Sequence, residues 1–368
     1  MKLLCVSHPS VLAANQTLFA AAADLTGWDV TLVAPSVWRD EFGRFEFERL
    51  PAFRGRVVPL RVLGQGRIPL HVYVGSLSAV VREERPDVVF MHHEAYALAT
   101  HQVVRALRGT DTAIGFYAAQ NVYKRYPWPF SRFEREAIAR ASFAFPVTER
   151  AAGVLRSKGF TGTIETLPLP VDVDAFLPAQ PGRHAGLTLG FVGRLVPIKG
   201  VETLLEALAG LPDDVTAIMV GDGPNRAEYE RYAKELGLNG RVHWDGYVSH
   251  TDVPAVYSRF DALVVPSLAP LEQFGRVVVE SLAAGVPVIA SDAGELPRLI
   301  AQTGGGWLFR SGDADALRRV IEEVREHPEE ARRRAEHGRQ VVVEDLSVRS
   351  VAKRFVEVVE RAAAEAGR

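Results

Sequence analysis

The sequence has little sulfur, no long apolar run and no excess of charge of either sign. Cys5 is the one cysteine among 368 residues, so a disulfide framework is excluded and a cytoplasmic location is expected. No run reaches the roughly eighteen apolar residues that a spanning helix needs. The formal net charge of −2 gives no electrostatic reason to expect nucleic acid as a partner.

Two kinds of binding motif are also missing. The stretch VGDGPNR contains Gly221 and Gly223 but has Arg226 at the third glycine position of a dinucleotide fingerprint, so a nicotinamide cofactor is not expected. A tight turn between a strand and a helix needs such glycines in any case. The aspartates of the GDGP and SD turns are isolated from other ligand-type residues, and we therefore predict no metal site.

What the sequence does contain is an alternation of short apolar strands with helical segments. Strands such as KLLCVS and PDVVFMHH are continuously apolar, which is typical of parallel sheets covered on both faces. Asn15 and Gly27 are expected to cap the two ends of the first helix. A proline-rich connector at 168–186 separates two such series, which predicts an α/β protein with two doubly wound, Rossmann-like domains facing each other, at 1–175 and 185–345.

In such sheets ligands bind beyond the carboxyl ends of the strands, so the loops that follow strands are informative. GFVGRLVPIKG places Gly193, Arg194 and Lys199 after a strand. Two cations five positions apart on a turn can converge on one anion, while the glycine allows its backbone to approach. Ordinary surface cations remain an alternative at this point.

The stretch LEQFGRVVVE holds two glutamates eight positions apart. A helix is predicted from Gly275 to Ala284, so the amides of Phe274, Gly275 and Arg276 would be free donors for phosphate or sugar oxygens, with Glu272 beside them. Glu280 would lie two turns inside an apolar helix, where a carboxylate needs partners. The two hydroxyls of a ribose would serve, and a buried salt bridge is the alternative.

Together these stretches, followed by ALVVPS and SLAAGVPVIAS, resemble glycosyltransferase family 4, the retaining enzymes of GT-B fold that use nucleotide sugars. The resemblance is specific over 187–310 and looser over the N-terminal half. It implies that the second domain binds the donor and the first domain the acceptor. It also implies that a C-terminal helix at about 350–368 returns to the first domain.

The resemblance assigns roles residue by residue. It gives Arg194 and Lys199 the donor diphosphate, Glu272 the donor-sugar hydroxyls and Glu280 the ribose hydroxyls. The remaining donor-binding positions that it implies are Gly193, Gly221, Gly223, Phe274, Gly275, Arg276 and, for the base, Val242 and His243. We expect Arg194, Lys199 and Glu272 to be catalytic, with Glu272 positioning the sugar rather than forming a covalent bond. Stabilisation of the leaving diphosphate by two cations predicts that no metal is required.

On the acceptor side the sequence departs from the family pattern. The loop after the first strand, SHPSVLAANQ, has no glycine, and Gln120 with Asn121 stands where relatives often have a histidine. His92 and His93 follow another strand and are candidates to line the acceptor site, although a structural role is an alternative for them. The segment 121–136 mixes aromatics with basic residues and could contact the inner face of a membrane or a lipid-linked acceptor; an irregular packed wall is the alternative.

The predicted function is transfer of a hexose or aminosugar from a nucleoside-diphosphate sugar, with UDP or GDP favoured over ADP, to a polysaccharide, glycolipid or small-molecule acceptor by front-face attack. A nucleotide-sugar 2-epimerase of the same architecture is an alternative, with Glu272 and a histidine as acid and base. A non-enzymatic nucleotide-sugar sensor is a third.

Overall fold

The computed structural model describes residues 1–40, 43–75, 77–176, 186–249, 252–268 and 274–367. The chain divides into two compact units. The first unit comprises Met1–Pro170 together with the segment from Val348 onwards, and the second comprises Val171–Ser347. Both units are α/β with parallel sheets, so the predicted fold class is confirmed. Glu272 and residues 177–185 of the proline-rich connector lie outside the described residues.

The strands of both units follow the apolar runs of the sequence. In the first unit they are β1 (Lys2–Ser7), β2 (Asp29–Pro35), β3 (Val37–Asp40), β4 (Gly43–Glu46), β5 (Arg56–Leu63), β6 (Val72–Val74), β7 (Val88–His92), β8 (Ala113–Ala118), β9 (Phe143–Pro146) and β10 (Thr163–Ile164). In the second unit they are β11 (Leu187–Val192), β12 (Val215–Val220), β13 (Val242–Gly246), β14 (Ala262–Val265), β15 (Val288–Ser291) and β16 (Gly306–Phe309).

The helices connect these strands and cover both faces of each sheet. They are α1 (Thr17–Thr26), α2 (Leu77–Glu84), α3 (Leu98–Ala106), α4 (Phe130–Arg140), α5 (Glu149–Ser157), α6 (Val201–Ala209), α7 (Arg226–Glu235), α8 (Val253–Tyr257), α9 (Arg276–Ala283), α10 (Leu296–Thr303), α11 (Ala314–Glu326), α12 (Pro328–Val341) and α13 (Val348–Ala366). Among the described residues, none of these helices has the length and apolarity to cross a membrane.

The sheet of the first unit has the strand order β10-β9-β8-β7-β1-β2-β5-β6, parallel except for β6, and β3 pairs with β4 in a separate hairpin. Its central strands are buried on both faces. Leu4 and Val6 of β1 pack into one hydrophobic cluster, and Leu3 and Cys5 pack into another on the opposite face. This two-sided burial is the physical reason for the continuously apolar strands.

The first helix differs from its predicted start. Gly27 adopts a left-handed φ of 69° and its N–H bonds to the carbonyl of Ala23 at 2.8 Å, so the predicted C-cap is confirmed. The helix begins at Thr17, however, and Asn15 lies in a preceding 3-10 turn where its Nδ2 donates to the carbonyl of Pro9 at 2.8 Å. The N-cap prediction for Asn15 is therefore wrong, because the extra turn uses its amide.

The second unit has the strand order β13-β12-β11-β14-β15-β16, and its strand pairs are parallel. The chain runs from β11 outward to β13 on one side and then crosses over to β14 on the other side of β11. The two adjacent strands β11 and β14 therefore begin the two halves of the sheet, and the loops that follow them leave the same edge in opposite directions. Such a switch point is where open α/β sheets bind ligands.

Candidate functional site

The loop that carries Arg194 and Lys199 lies at this switch point of the second unit and is fixed by its backbone. Leu268, which follows β14, donates its N–H to the carbonyl of Ile198 at 2.8 Å. Gly200 has a φ of +67°, and a Cβ there would lie 1.9 Å from the carbonyl oxygen of Pro266. The loops after β11 and β14 are therefore in direct contact, and both cationic residues are partly buried.

Gly221 and Gly223 bring a third loop against the first. A Cβ on Gly221 would meet the carbonyl oxygen of Gly193 at 1.9 Å, and a Cβ on Gly223 would meet that of Leu195 at 2.4 Å. Leu195 also donates its N–H to the carbonyl of Asp222 at 3.0 Å. This backbone packing is itself a sufficient reason for the glycines. Donor binding by Gly193, Gly221 and Gly223 stays a prediction.

The helix that follows β14 begins one residue later than expected. Gly275 is the N-cap residue of α9, with a left-handed φ of 83°, and Arg276 is the first helical residue. A Cβ on Gly275 would lie 2.8 Å from Cδ2 of Leu296, while Phe274 is buried. The first N–H groups of an α-helix have no acceptor within the helix, so this end suits an anion.

Glu280 is buried, 7% exposed, and two protein groups already bind it. Its Oε1 accepts from Nε of Arg276 at 2.8 Å, and its Oε2 accepts from the hydroxyl of Tyr257 at 2.8 Å. Burial, followed by the charge of Glu280, raises the pKa of Tyr257 well above its ordinary value. The structure therefore shows the salt bridge that was the alternative for Glu280. Each carboxylate oxygen can accept a second bond, so the ribose role stays a prediction.

Val242 and His243 stand at the amino end of β13, where Val242 pairs with Ala217 and His243 is exposed. The carboxyl end of the strand is Gly246, whose carbonyl accepts from Gly221 at 2.7 Å. Three to four residues of strand span about 10–13 Å. Val242 and His243 therefore lie well away from the loops at the carboxyl ends of the strands. Tyr247, 63% exposed, directly follows the strand end and is better placed. The rule that ligands follow strand ends could have identified it.

The first unit has its own switch point, between β1 and β7. Ser7 and His92 end these two strands, and Oγ of Ser7 lies 3.2 Å from Nδ1 of His92. The His92 ring packs against Tyr117 with 4.7 Å between centroids, and burial lowers its pKa to about 4. His93 is 1% exposed, and its ring packs in a different place, beside His8 and other aromatic rings. The two candidate histidines are thus separated by strand alternation.

Gln120 and Asn121 follow β8 and are both engaged by neighbouring side chains. Nε2 of Gln120 donates to the hydroxyl of Tyr96 at 3.4 Å, and Oδ1 of Asn121 accepts from Thr148 at 2.6 Å. Glu94, which sequence reasoning missed, accepts from the N–H of Ala119 at 2.8 Å. Burial raises the pKa of Glu94 to about 7, which marks it as an unusual group at the same strand edge.

The segment 121–136 has an exposed aromatic part and a helical part. Trp128 is 79% exposed, and α4 begins two residues later. Within the segment, Arg132 pairs with Glu136 at 2.9 Å. Glu134 of the segment pairs with Lys158, at the end of α5, at 2.5 Å. Membrane contact through this segment stays a prediction.

Two family models match the chain in succession. "Glycosyltransferase Family 4" matches residues 17–175, and "Glycosyl transferases group 1" matches residues 177–341. Together they span both units.

The chain is also similar to proteins of known activity or structure. It is 28% identical over 332 residues to 2-deoxystreptamine glucosyltransferase of Streptomyces kanamyceticus, covering 82% of this chain and 84% of the relative. It is 33% identical over 204 residues to MMP alpha-(1->4)-mannosyltransferase of Mycolicibacterium hassiacum, covering 55% and 49%. The solved structure of HepE from Anabaena in complex with UDP has a TM-score of 0.76 at 20% identity, covering 98% of this chain and 100% of HepE.

Proposed function

The chain belongs to glycosyltransferase family 4, with the GT-B fold, and on that premise we propose that it is a retaining, metal-independent glycosyltransferase that takes a hexose or aminosugar from a nucleoside-diphosphate sugar. The relatives named above transfer glucose and mannose, and the HepE structure contains UDP. The UDP in the HepE structure supports a UDP-sugar as donor, with a GDP-sugar as the alternative. The proposed acceptor is a polysaccharide, a glycolipid or a small molecule.

The observation that carries this proposal is the backbone-fixed loop of Arg194 and Lys199 at the switch point of the second unit. The loop is held on one side by the contacts to Pro266 and Leu268 and on the other by the glycine turn at 221–223. Cations held in advance at the point where negative charge develops on a leaving diphosphate lower the barrier to its departure. The amino end of α9 adds backbone donors to the neighbouring loop.

This arrangement supports front-face attack without a protein nucleophile. Because the diphosphate is already a good leaving group, no acid residue is needed, and a donor phosphate oxygen can accept the proton of the acceptor hydroxyl. Glu272 would then orient the donor sugar, and Glu280 the ribose, without forming a bond to either. The cations would supply the charge stabilisation for which other transferases use a divalent metal.

The test is substitution of the two loop cations. Arg194→Ala and Lys199→Ala should each lower kcat/KM for sugar transfer by about 10²–10³, the usual loss for one charge-stabilising group. Arg231→Ala is the control, since Arg231 is an exposed cation of α7 in the same unit. Thermal unfolding curves without ligand should be unchanged for all three variants. Near-wild-type transfer by both loop variants would contradict the diphosphate assignment.

The same assay separates transfer from epimerisation. Incubation with the donor alone should release nucleoside diphosphate slowly and should yield no epimeric nucleotide sugar. The relatives described above are transferases, so they lend the epimerase alternative no support. Appearance of a new nucleotide sugar would nevertheless overturn the proposal, because a transferase has no route to that product.

A further inference from the structure

Three histidines from distant parts of the sequence meet in the first unit. His8 follows β1, His71 immediately precedes β6, and His93 follows β7. One ring nitrogen from each lies within 4.8 Å of the corresponding nitrogens of the other two. His71 and His93 are buried, with exposures of 0% and 1%, and His8 is partly buried.

Each of these rings has a nitrogen without a partner, and in two of them the other nitrogen is engaged. Nδ1 of His71 donates to the carbonyl of Ile68 at 2.7 Å, and Nε2 of His93 lies 3.3 Å from the hydroxyl of Tyr73. Within the described part of the chain, Nδ1 of His8, Nε2 of His71 and Nδ1 of His93 have no hydrogen-bond partner.

Buried polar atoms without partners are uncommon, because each has lost its hydrogen bonds to water without replacement. Here three occur together, one on each of the three clustered rings. A histidine that binds a metal through one nitrogen typically donates its other N–H to a carbonyl or similar group, which fixes the tautomer and the ring orientation. His71 and His93 follow that pattern.

We propose that the first unit binds one divalent transition-metal ion of the Zn²⁺ class through Nδ1 of His8, Nε2 of His71 and Nδ1 of His93. Tetrahedral Zn²⁺ with Zn–N bonds of about 2.0–2.1 Å places its ligand nitrogens about 3.3 Å apart. A shift of at most about 1.5 Å would bring the widest pair to that distance. The ligand set contains only imidazole nitrogens, which suit Zn²⁺, Ni²⁺ or Cu²⁺ rather than Mg²⁺ or Ca²⁺.

The surroundings hold two of the rings in place. The backbone N–H of His71 donates to the carbonyl of Arg67 at 3.0 Å. Gln102 binds the backbone N–H and carbonyl of Tyr73, whose hydroxyl contacts His93.

This site is separate from the proposed transfer chemistry. The metal-independence proposed above concerns diphosphate charge in the second unit, whereas the three histidines belong to the first. A metal there would join the loops after β1 and β7 to the strand pair β5–β6. It would leave one tetrahedral position for water or another oxygen ligand.

The experiment measures bound metal in the full-length, untagged chain. Protein is equilibrated with Zn²⁺, dialysed against metal-free buffer, and analysed by inductively coupled plasma mass spectrometry. We expect about one zinc per wild-type chain and background levels in His71→Gln and His93→Gln. His327→Gln is the control: His327 is an exposed histidine of the second unit whose Nδ1 lies 3.0 Å from the carbonyl of Glu323, and it should keep full metal content.

A second measurement decides the matter where a variant fails to fold. Co²⁺ added to the wild-type chain should give the intense visible d–d absorption of a four-coordinate ion, and added Zn²⁺ should abolish it. Zinc at background in the wild-type chain with no such Co²⁺ spectrum would overturn the proposal. So would equal metal content in folded His71→Gln, His93→Gln and wild-type protein. The rise in melting temperature that UDP or GDP causes is measured on the same samples, so failure of this site is distinguished from failure of donor binding.

Discussion

Glu280 has a structural role in addition to the ribose binding that the sequence predicts for it. It is buried in the second turn of α9, and the hydroxyl of Tyr257 and the guanidinium of Arg276 bind its two oxygens. A buried carboxylate is costly unless such partners are present. A ribose that bound Glu280 would therefore contact a carboxylate that the protein has already oriented and paired.

The contribution of the Tyr257 hydroxyl can be measured with a matched pair. Tyr257→Phe should lower the free energy of unfolding by about 2 kcal/mol, because the substitution removes a buried hydrogen bond to a charged group. Tyr232→Phe is the control, since that hydroxyl donates to Glu206 at 2.7 Å in an exposed position and should change stability by less than about 0.5 kcal/mol. Urea unfolding of both variants gives the comparison. Equal effects would mean that the Tyr257–Glu280 bond adds nothing beyond a surface contact.

At the scale of elements, the highly charged helix α13 completes a hydrophobic core of the first unit. The helix packs against α1 in the first unit. Phe355 is fully buried and its ring lies 5.3 Å from that of Phe90 on β7 and 5.2 Å from that of Phe145 on β9. The apolar stripe of α13 therefore covers one face of the sheet, while its charges remain outside.

Removal of this contact should weaken the first unit specifically. Phe355→Ala should destabilise it by about 3–5 kcal/mol, the usual cost of truncating a buried phenylalanine. Glu357→Ala, on the exposed face of the same helix, should cost less than about 0.5 kcal/mol. Native-state hydrogen exchange localises the effect: amides of β7 should exchange faster in the phenylalanine variant. Unchanged protection of β7 would contradict the assignment of Phe355 to this core.

At the scale of the whole molecule, the chain contains two separate cores, each built on its own parallel sheet and each with its own switch point. The cationic loop and the start of α9 belong to the second unit. The histidines and Glu94 belong to the first. Each unit therefore has its own proposed ligand chemistry, and we predict that nucleotide binding affects the second unit.

Nucleoside diphosphate alone should protect amides of the second unit. With UDP or GDP at saturation, hydrogen exchange should slow in the loop 193–200 and at the start of α9 near Gly275, because ligand contacts there oppose local opening. Gly240, in a distant turn of the same unit, serves as an internal reference. Protection confined to the first unit would contradict the placement of the donor site.

Much of this molecule follows from local pattern. Continuous apolar runs separated by helical periods are enough to predict parallel strands buried on both faces, and the proline-rich connector at 168–186 is enough to predict two domains. The cations of GFVGRLVPIKG are close in sequence, so their common loop was also predictable. The helix at α9 was located to within one residue, since Gly285 and Pro287 mark its end.

Other features depended on contacts between distant segments. Of the two partners of Glu280, Tyr257 could not be predicted, because it is 23 positions away on another helix. Glu94 carries no motif, and its raised pKa arises from burial that only the packed strand edge produces.

The sequence by itself determined the strands, the helices, the two-unit organisation and the family, because each depends on residues that are near one another along the chain. Only the tertiary structure decided which side chains meet: His8, His71 and His93 are far apart in sequence and share no spacing rule. The order of strands in the first sheet brings β1 next to β7, and the pairing of β5 with β6 carries His71 to the same edge. Proximity of this kind is a property of strand order, which local residue patterns do not encode.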